Sequence, residues 1–209
     1  MNHHEVAARI ALLADTYSNK LRQQIQVRKS EMRSDDTSHY LLYQILGIGN
    51  DEGRLIDEYQ NTGRFLYKYA GSFLEEAARL CLAEAYPDGG KMRIANPLGT
   101  RPKMYEIDFL NDRDAVEIKW RDATTDGDHI TKEHAKVQAI KACGFKPIRI
   151  MFYYPQREQA IRIQQTLETL YAGVGGEYFD RENAWRFLHD YSGIDLKSIL
   201  IDIARRRTV

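Results

Sequence analysis

Between Tyr105 and Trp120 the chain alternates apolar and polar residues on both sides of a short polar gap. Tyr105, Ile107 and Phe109 interleave with Glu106 and Asp108, and Val116, Ile118 and Trp120 interleave with Glu117 and Lys119. A period of two marks strands with one buried face, so the segment predicts a β-hairpin. A tight reversal between Asp112 and Arg113 sets the register by arithmetic. Phe109 then faces Val116, Ile107 faces Ile118 and Tyr105 faces Trp120 on the apolar side. On the wet side Asp108 opposes Glu117, and Glu106 opposes Lys119. The turn Asn111-Asp112-Arg113-Asp114 lacks the glycine that two-residue hairpin loops favour, but a longer turn keeps the same pairs. A one-residue slip would turn the charged set inward, and the apolar pattern opposes it.

Elsewhere the spacing is mostly helical. Val6, Ile10, Leu13, Tyr17, Leu21 and Ile25 recur every three or four positions and predict a helix over 5–29. A polar loop follows, then a short helix from Tyr40 to Leu46 stopped by Gly47-Ile48-Gly49-Asn50. A long helical region covers about 51–86, with Gly63 and Gly71 as candidate breaks, and ends at Pro87-Asp88-Gly89-Gly90. A strand at 91–95 precedes the hairpin, whose second strand runs over 115–121. Beyond the polar loop 122–130, Thr131 reads as an N-cap with Glu133 in the first turn of a helix to Cys143. Gly144 stops it, 146–154 reads as a strand, and helices follow at 156–171, 180–190 and 194–206. This order predicts an α/β fold in which a small mixed sheet is flanked by helices. The 131–143 helix is the crossover of a parallel, right-handed strand–helix–strand unit.

Length and composition narrow the class. With 209 residues, 43% hydrophobic and 29% charged, the chain suits one globular domain with a substantial core. No apolar run reaches the ~20 residues of a membrane span, and the charged N-terminus does not read as a secretory signal. Cys81 and Cys143 sit in helical patterns without metal-ligand spacing, as buried small residues in a reducing cytoplasm. Thirty basic residues balance thirty acidic ones. Net charge therefore does not advertise nucleic acid, although Lys20, Arg22, Arg28, Lys29 and Arg33 cluster near one end and Arg205, Arg206 and Arg207 near the other.

The hairpin carries the chemistry. Directly opposed side chains have Cβ atoms about 5 Å apart, and like charges there repel. An Asp facing a Glu needs a proton or a cation between them, and a hard ion such as Mg²⁺ suits oxygen ligands. On the same argument, replacing either acid with alanine should leave stability unchanged or slightly raised. Glu-x-Lys alone is more often a solvated strand face; the acid opposite it on the neighbouring strand and the apolar residues behind both strands point to a site.

Asp108, Glu117-Ile118-Lys119 and the following helix and strand resemble the core of the PD-(D/E)xK nuclease superfamily. The resemblance spans roughly 65–154, with helices at 1–50 and 156–209 flanking it inside a single nuclease domain, 1–209. It implies a restriction endonuclease-like fold with Mg²⁺ at Asp108, Glu117 and Ile118, and Lys119 orienting or activating the attacking water. Ile107, not proline, precedes Asp108, a departure from a weak part of the pattern. Gly71-Ser72-Phe73-Leu74-Glu75 matches an upstream helical Gly-x-x-x-Glu, which adds Glu75 to the site, although a helical wheel does not separate it from Glu76. The stretch EIKWRDATTDGDHITKEH resembles restriction enzymes of the ApaLI type. That implies a Type II enzyme cutting a palindromic site in double-stranded DNA as a homodimer. Arg121, Asp126, Asp128, His129, Lys132 and Lys136 are the candidate DNA contacts. His129 and His134 lack the further ligands of a zinc site. The competing readings are a repair or recombination nuclease of the same superfamily and a non-catalytic DNA- or protein-binding module in which Glu106–Lys119 is a plain cross-strand ion pair.

Overall fold

The computed structural model describes residues 3–99, 101–121 and 128–207. In chain order the elements are α1 (His3–Met32), α2 (Tyr40–Ile45), α3 (Asn50–Ala85), β1 (Gly90–Ala95), β2 (Met104–Leu110) and β3 (Asp114–Arg121). They continue as α4 (Asp128–Ala142), β4 (Lys146–Tyr153), α5 (Glu158–Gly173), β5 (Glu177–Asp180), α6 (Arg181–Ser192) and α7 (Leu196–Arg207). Residues 11–73 form one compact unit, and the rest of the described chain forms the other.

The 11–73 unit is helical. Arg28 donates from Nε and Nη2 to Asn61 Oδ1 at 3.1 and 2.9 Å, and Lys29 pairs with Glu58 at 2.6 Å, which ties α1 to α3. Tyr43 donates to Asp57 at 2.9 Å and holds α2 on the same helix. The sequence offers Gly63 and Gly71 as breaks, yet α3 runs through both. A glycine inside a helix costs only about 1 kcal/mol relative to alanine, too little to interrupt a helix held along its length.

In the other unit the five strands lie in sequence order. The pairs β1–β2 and β2–β3 are antiparallel, and β3–β4 and β4–β5 are parallel. The sheet is therefore mixed, and α4 is the crossover between parallel neighbours, as the element order predicts. The hairpin register is also the expected one, with Phe109 on Val116 and Leu110 on Ala115. Its glycine-free turn is closed by a side chain: Asn111 Oδ1 accepts the Arg113 and Asp114 amides at 2.9 and 2.7 Å. An Asx turn of this kind replaces a main-chain turn bond and relaxes the demand for glycine. Buried Ile107, Leu110 and Ala115 pack with Ala139 and Ile140 of α4. The thiol of fully buried Cys81 is pushed up to about 12 by burial, whereas Cys143 is only partly buried.

Two local expectations need correction. Helix α4 begins at Asp128, so Thr131 lies inside it rather than at its cap. Threonine is tolerated within a helix at small cost, and a lone Thr does not fix a start. Strand β5 was not expected, because four residues give almost no periodic signal. It docks beside β4 through Gly175, at φ +76°, and Gly176, where a Cβ would collide with the Pro147 carbonyl.

Candidate active site

Asp108 stands near the end of β2, and Glu117 and Lys119, two residues apart, share a face of β3. Their charged ends converge. Lys119 Nζ lies 3.3 Å from Asp108 Oδ2 and 3.4 Å from Glu117 Oε2. The paired ladder between β2 and β3 extends only through Phe109–Val116. Beyond it the Ile118 amide donates to Asp108 Oδ2 at 2.9 Å, so a carboxylate replaces a carbonyl as the acceptor. The further expected pairs, Ile107–Ile118 and Tyr105–Trp120, are absent from the ladder for that reason.

Of the expected wet face, Glu106 is exposed and Lys119 half-buried, but the two opposed acids are buried. Asp108 is 7% exposed and Glu117 2%. Helix α4 reaches over Glu117: Lys136 Nζ makes an ion pair with Glu117 Oε1. The cross-strand pair of Glu106 with Lys119 does not form. Glu106 instead binds Lys91 Nζ of β1 at 2.7 Å, while Lys119 is held by the two buried acids, where its charge is less screened. The structure thus removes the plain-ion-pair reading as it was framed on Glu106 and Lys119.

The sequence did not separate Glu75 from Glu76. Glu75 is half-buried, with Oε1 3.9 Å from Lys91 Nζ. Burial, and after it the charge of Asp108, pushes the Glu75 carboxyl above the usual range. Glu75 therefore belongs electrostatically to the Asp108 cluster.

Burial pushes Asp108 upward too, but Lys119, the Ile118 amide and Lys136 outweigh it and hold the carboxyl below its ordinary value. Glu117 goes the other way, to about 7, raised first by burial and then by Asp108. Burial would lower Lys119, yet Glu117 and Asp108 reverse this and keep it firmly protonated. A raised folded-state pKa favours the protonated carboxyl, so its contribution is present below about pH 4.5 and lost as pH rises through about 7. In metal-free protein this amounts to stability on the order of 3 kcal/mol lost across that window. Urea melts of Glu117→Gln should show that part of the slope missing. An unchanged slope would place the raised acid elsewhere.

Among the described residues no three His, Cys, Asp or Glu side chains cluster as a metal cage. Two carboxylates nevertheless fit Mg²⁺, which keeps several waters and takes one or two protein carboxylates plus substrate phosphate oxygens. Ile118 can offer only its main-chain carbonyl, because its side chain is buried and apolar.

Of the candidate DNA contacts, Arg121 is exposed at the end of β3, with its guanidinium 5.5 Å from the Trp120 ring. His129 is half-buried and Lys132 exposed on α4. Asp126 and the side chain of Asp128 lie outside the described residues. In the N-terminal basic cluster, Arg28 and Lys29 are engaged with Asn61 and Glu58.

Sequence reasoning missed the support behind Glu117. Arg149 of β4 sits beside Glu117 in the parallel register and is 2% exposed. It donates to Glu133 Oε1 at 3.0 Å, and Tyr171 donates to the same oxygen at 2.7 Å. Burial would raise Glu133, but Arg149 and the Tyr171 hydroxyl hold it below its ordinary range. The available signal was a lone arginine inside the apolar run Pro147–Tyr153.

The mixed five-stranded sheet flanked by helices is compatible with a restriction endonuclease-like fold. The chain belongs to the ApaLI-like restriction endonuclease family, whose model it matches over residues 1–205. It is accordingly a Type II restriction enzyme, a site-specific deoxyribonuclease that binds double-stranded DNA. No curated protein and no solved structure matches the chain. No described helix is long and apolar enough to cross a membrane.

Proposed function

We propose that the protein is a Mg²⁺-dependent endonuclease that cuts within a palindromic DNA site as a cytoplasmic homodimer, its chain acting as one nuclease domain. The convergence of Asp108 and Glu117 on the Lys119 ammonium carries this reading. Asp108, Glu117 and the Ile118 carbonyl would hold the ion, which supplies Lewis-acid charge to the scissile phosphate. Lys119 offers a cation and a donor toward the attacking water and the phosphate oxygens. Arg121, Asp126, Asp128, His129 and Lys132 are the proposed contacts to phosphates or base edges.

A twofold dimer matches a twofold site and provides one centre per strand. The residues outside 91–154 favour such an association. Leu41, Leu42, Ile45 and Leu46 of the α2 region and Tyr59 of α3 all leave more than half of their surface exposed. Large apolar side chains gathered in one exposed segment mark an interaction surface.

Digestion of plasmid and phage DNA with Mg²⁺ should give discrete fragments, and sedimentation should give a dimer. A smear, or preference for branched DNA, would support a repair nuclease, and uncut DNA a binding module. Glu75 is proposed to hold a water beside the ion rather than the ion itself. Glu75→Gln should slow cleavage about 10–100-fold, the usual cost of an outer-shell partner, and Glu76→Gln should change little. Equal rates for both variants and wild type would reduce α3 to a cover for the sheet.

A further inference from the structure

We propose that Lys136 is a built-in counter-cation that competes with the divalent ion for Glu117 and keeps ion affinity low in the absence of DNA. The inference rests on the reading of Asp108 and Glu117 as metal ligands. Lysine normally leaves its ammonium in water and buries only its stem. Here the Lys136 side chain is 15% exposed and ends on Glu117 Oε1. The arrangement is anchored: Glu133, three residues earlier on α4, is gripped by Arg149 and Tyr171, which fixes the helix turn from which Lys136 reaches the sheet. Asp108, Lys119, Glu117 and Lys136 form a chain of alternating charge. Glu133 and Arg149 add a further neutral pair behind it. Within this chain of contacts three carboxylates thus face three cations before any ion arrives.

A divalent ion entering this set meets carboxylates already neutralised by two ammoniums. Even with the screening of bulk water, a unit charge about 6 Å from a divalent ion changes its affinity about tenfold. Lys119 cannot be removed without touching the proposed chemistry, whereas Lys136 pairs with Glu117, reaches Asp108 and Glu133 through its charge, and is a positioning residue. A DNA phosphate brought alongside supplies the missing negative charge, so the ion is held well only when substrate is present.

Tb³⁺, a hard oxygen-seeking ion, should be titrated into DNA-free protein, with its luminescence sensitised by the protein's aromatic residues, and Ca²⁺ used to displace it. Lys136→Gln and Lys136→Met should both bind at least about tenfold tighter than wild type. Lys136→Arg, which keeps the charge, should stay within about twofold. Glu117→Gln tests the underlying ligand set and should lose binding. If Glu117→Gln loses binding while the neutral Lys136 variants bind no tighter than wild type, Lys136 is a structural brace only. If Glu117→Gln binds as wild type does, the ligand set and the counter-cation role fall together.

Discussion

Asp108→Asn and Glu117→Gln should each reduce Mg²⁺-dependent cleavage by about a thousandfold or more while the protein stays folded. A buried donor set of two carboxylates has no spare ligand, and losing directed charge at a phosphoryl centre is costly. The two acids differ in what else they do. Asp108 accepts the Ile118 amide and holds Lys119, so alanine there strands a buried N–H and costs about 1–3 kcal/mol. Asparagine keeps an acceptor and is the cleaner variant. Glu117 is held against its own preference for the neutral form, and its removal should not lower stability at pH 8. The sequence suggested that losing either acid relieves repulsion; the structure restricts that relief to Glu117. Lys119→Ala should bind DNA in Ca²⁺ yet fail to cut. Cleavage retained by either carboxylate variant at saturating Mg²⁺ would sink the assignment of the hairpin as the active site.

Arg149→Met should produce the largest loss of stability, about 3–5 kcal/mol, because it leaves Glu133 buried without its cation. Methionine keeps much of the volume, so a cavity adds little. The double variant Arg149→Met with Glu133→Gln should recover much of the loss, since it removes the orphaned charge as well. Urea denaturation of the single and double variants gives the coupling directly. A loss below about 1 kcal/mol in the single variant would mean that water reaches Glu133 and that the network does not anchor α4.

Much of the fold was legible because it rests on local periodicity. Alternation from Tyr105 to Trp120 fixed the hairpin register, since a slip by one residue would invert every side chain. The strand–helix–strand order fixed β3 and β4 as parallel neighbours, because a connection through a helix allows that pairing. Strand β5 was hidden, as four residues beside a glycine pair carry no period, and their pairing depends on the close approach that Gly176 permits.

The site divides in the same way. The sequence by itself determined that Asp108, Glu117 and Lys119 meet, because strand alternation and hairpin arithmetic are consequences of chain geometry alone. Tertiary structure decided how wet they are and which charges they keep. Glu106 turned to Lys91 once β1 supplied a nearer cation, and Glu75 came under the field of Asp108. Lys136, a candidate DNA contact by sequence, was drawn onto Glu117, and Glu133 left its supposed helix-end role for Arg149. Each of these outcomes is a choice among oppositely charged partners far apart in the chain. Only packing, by removing water and setting distance, selects between them.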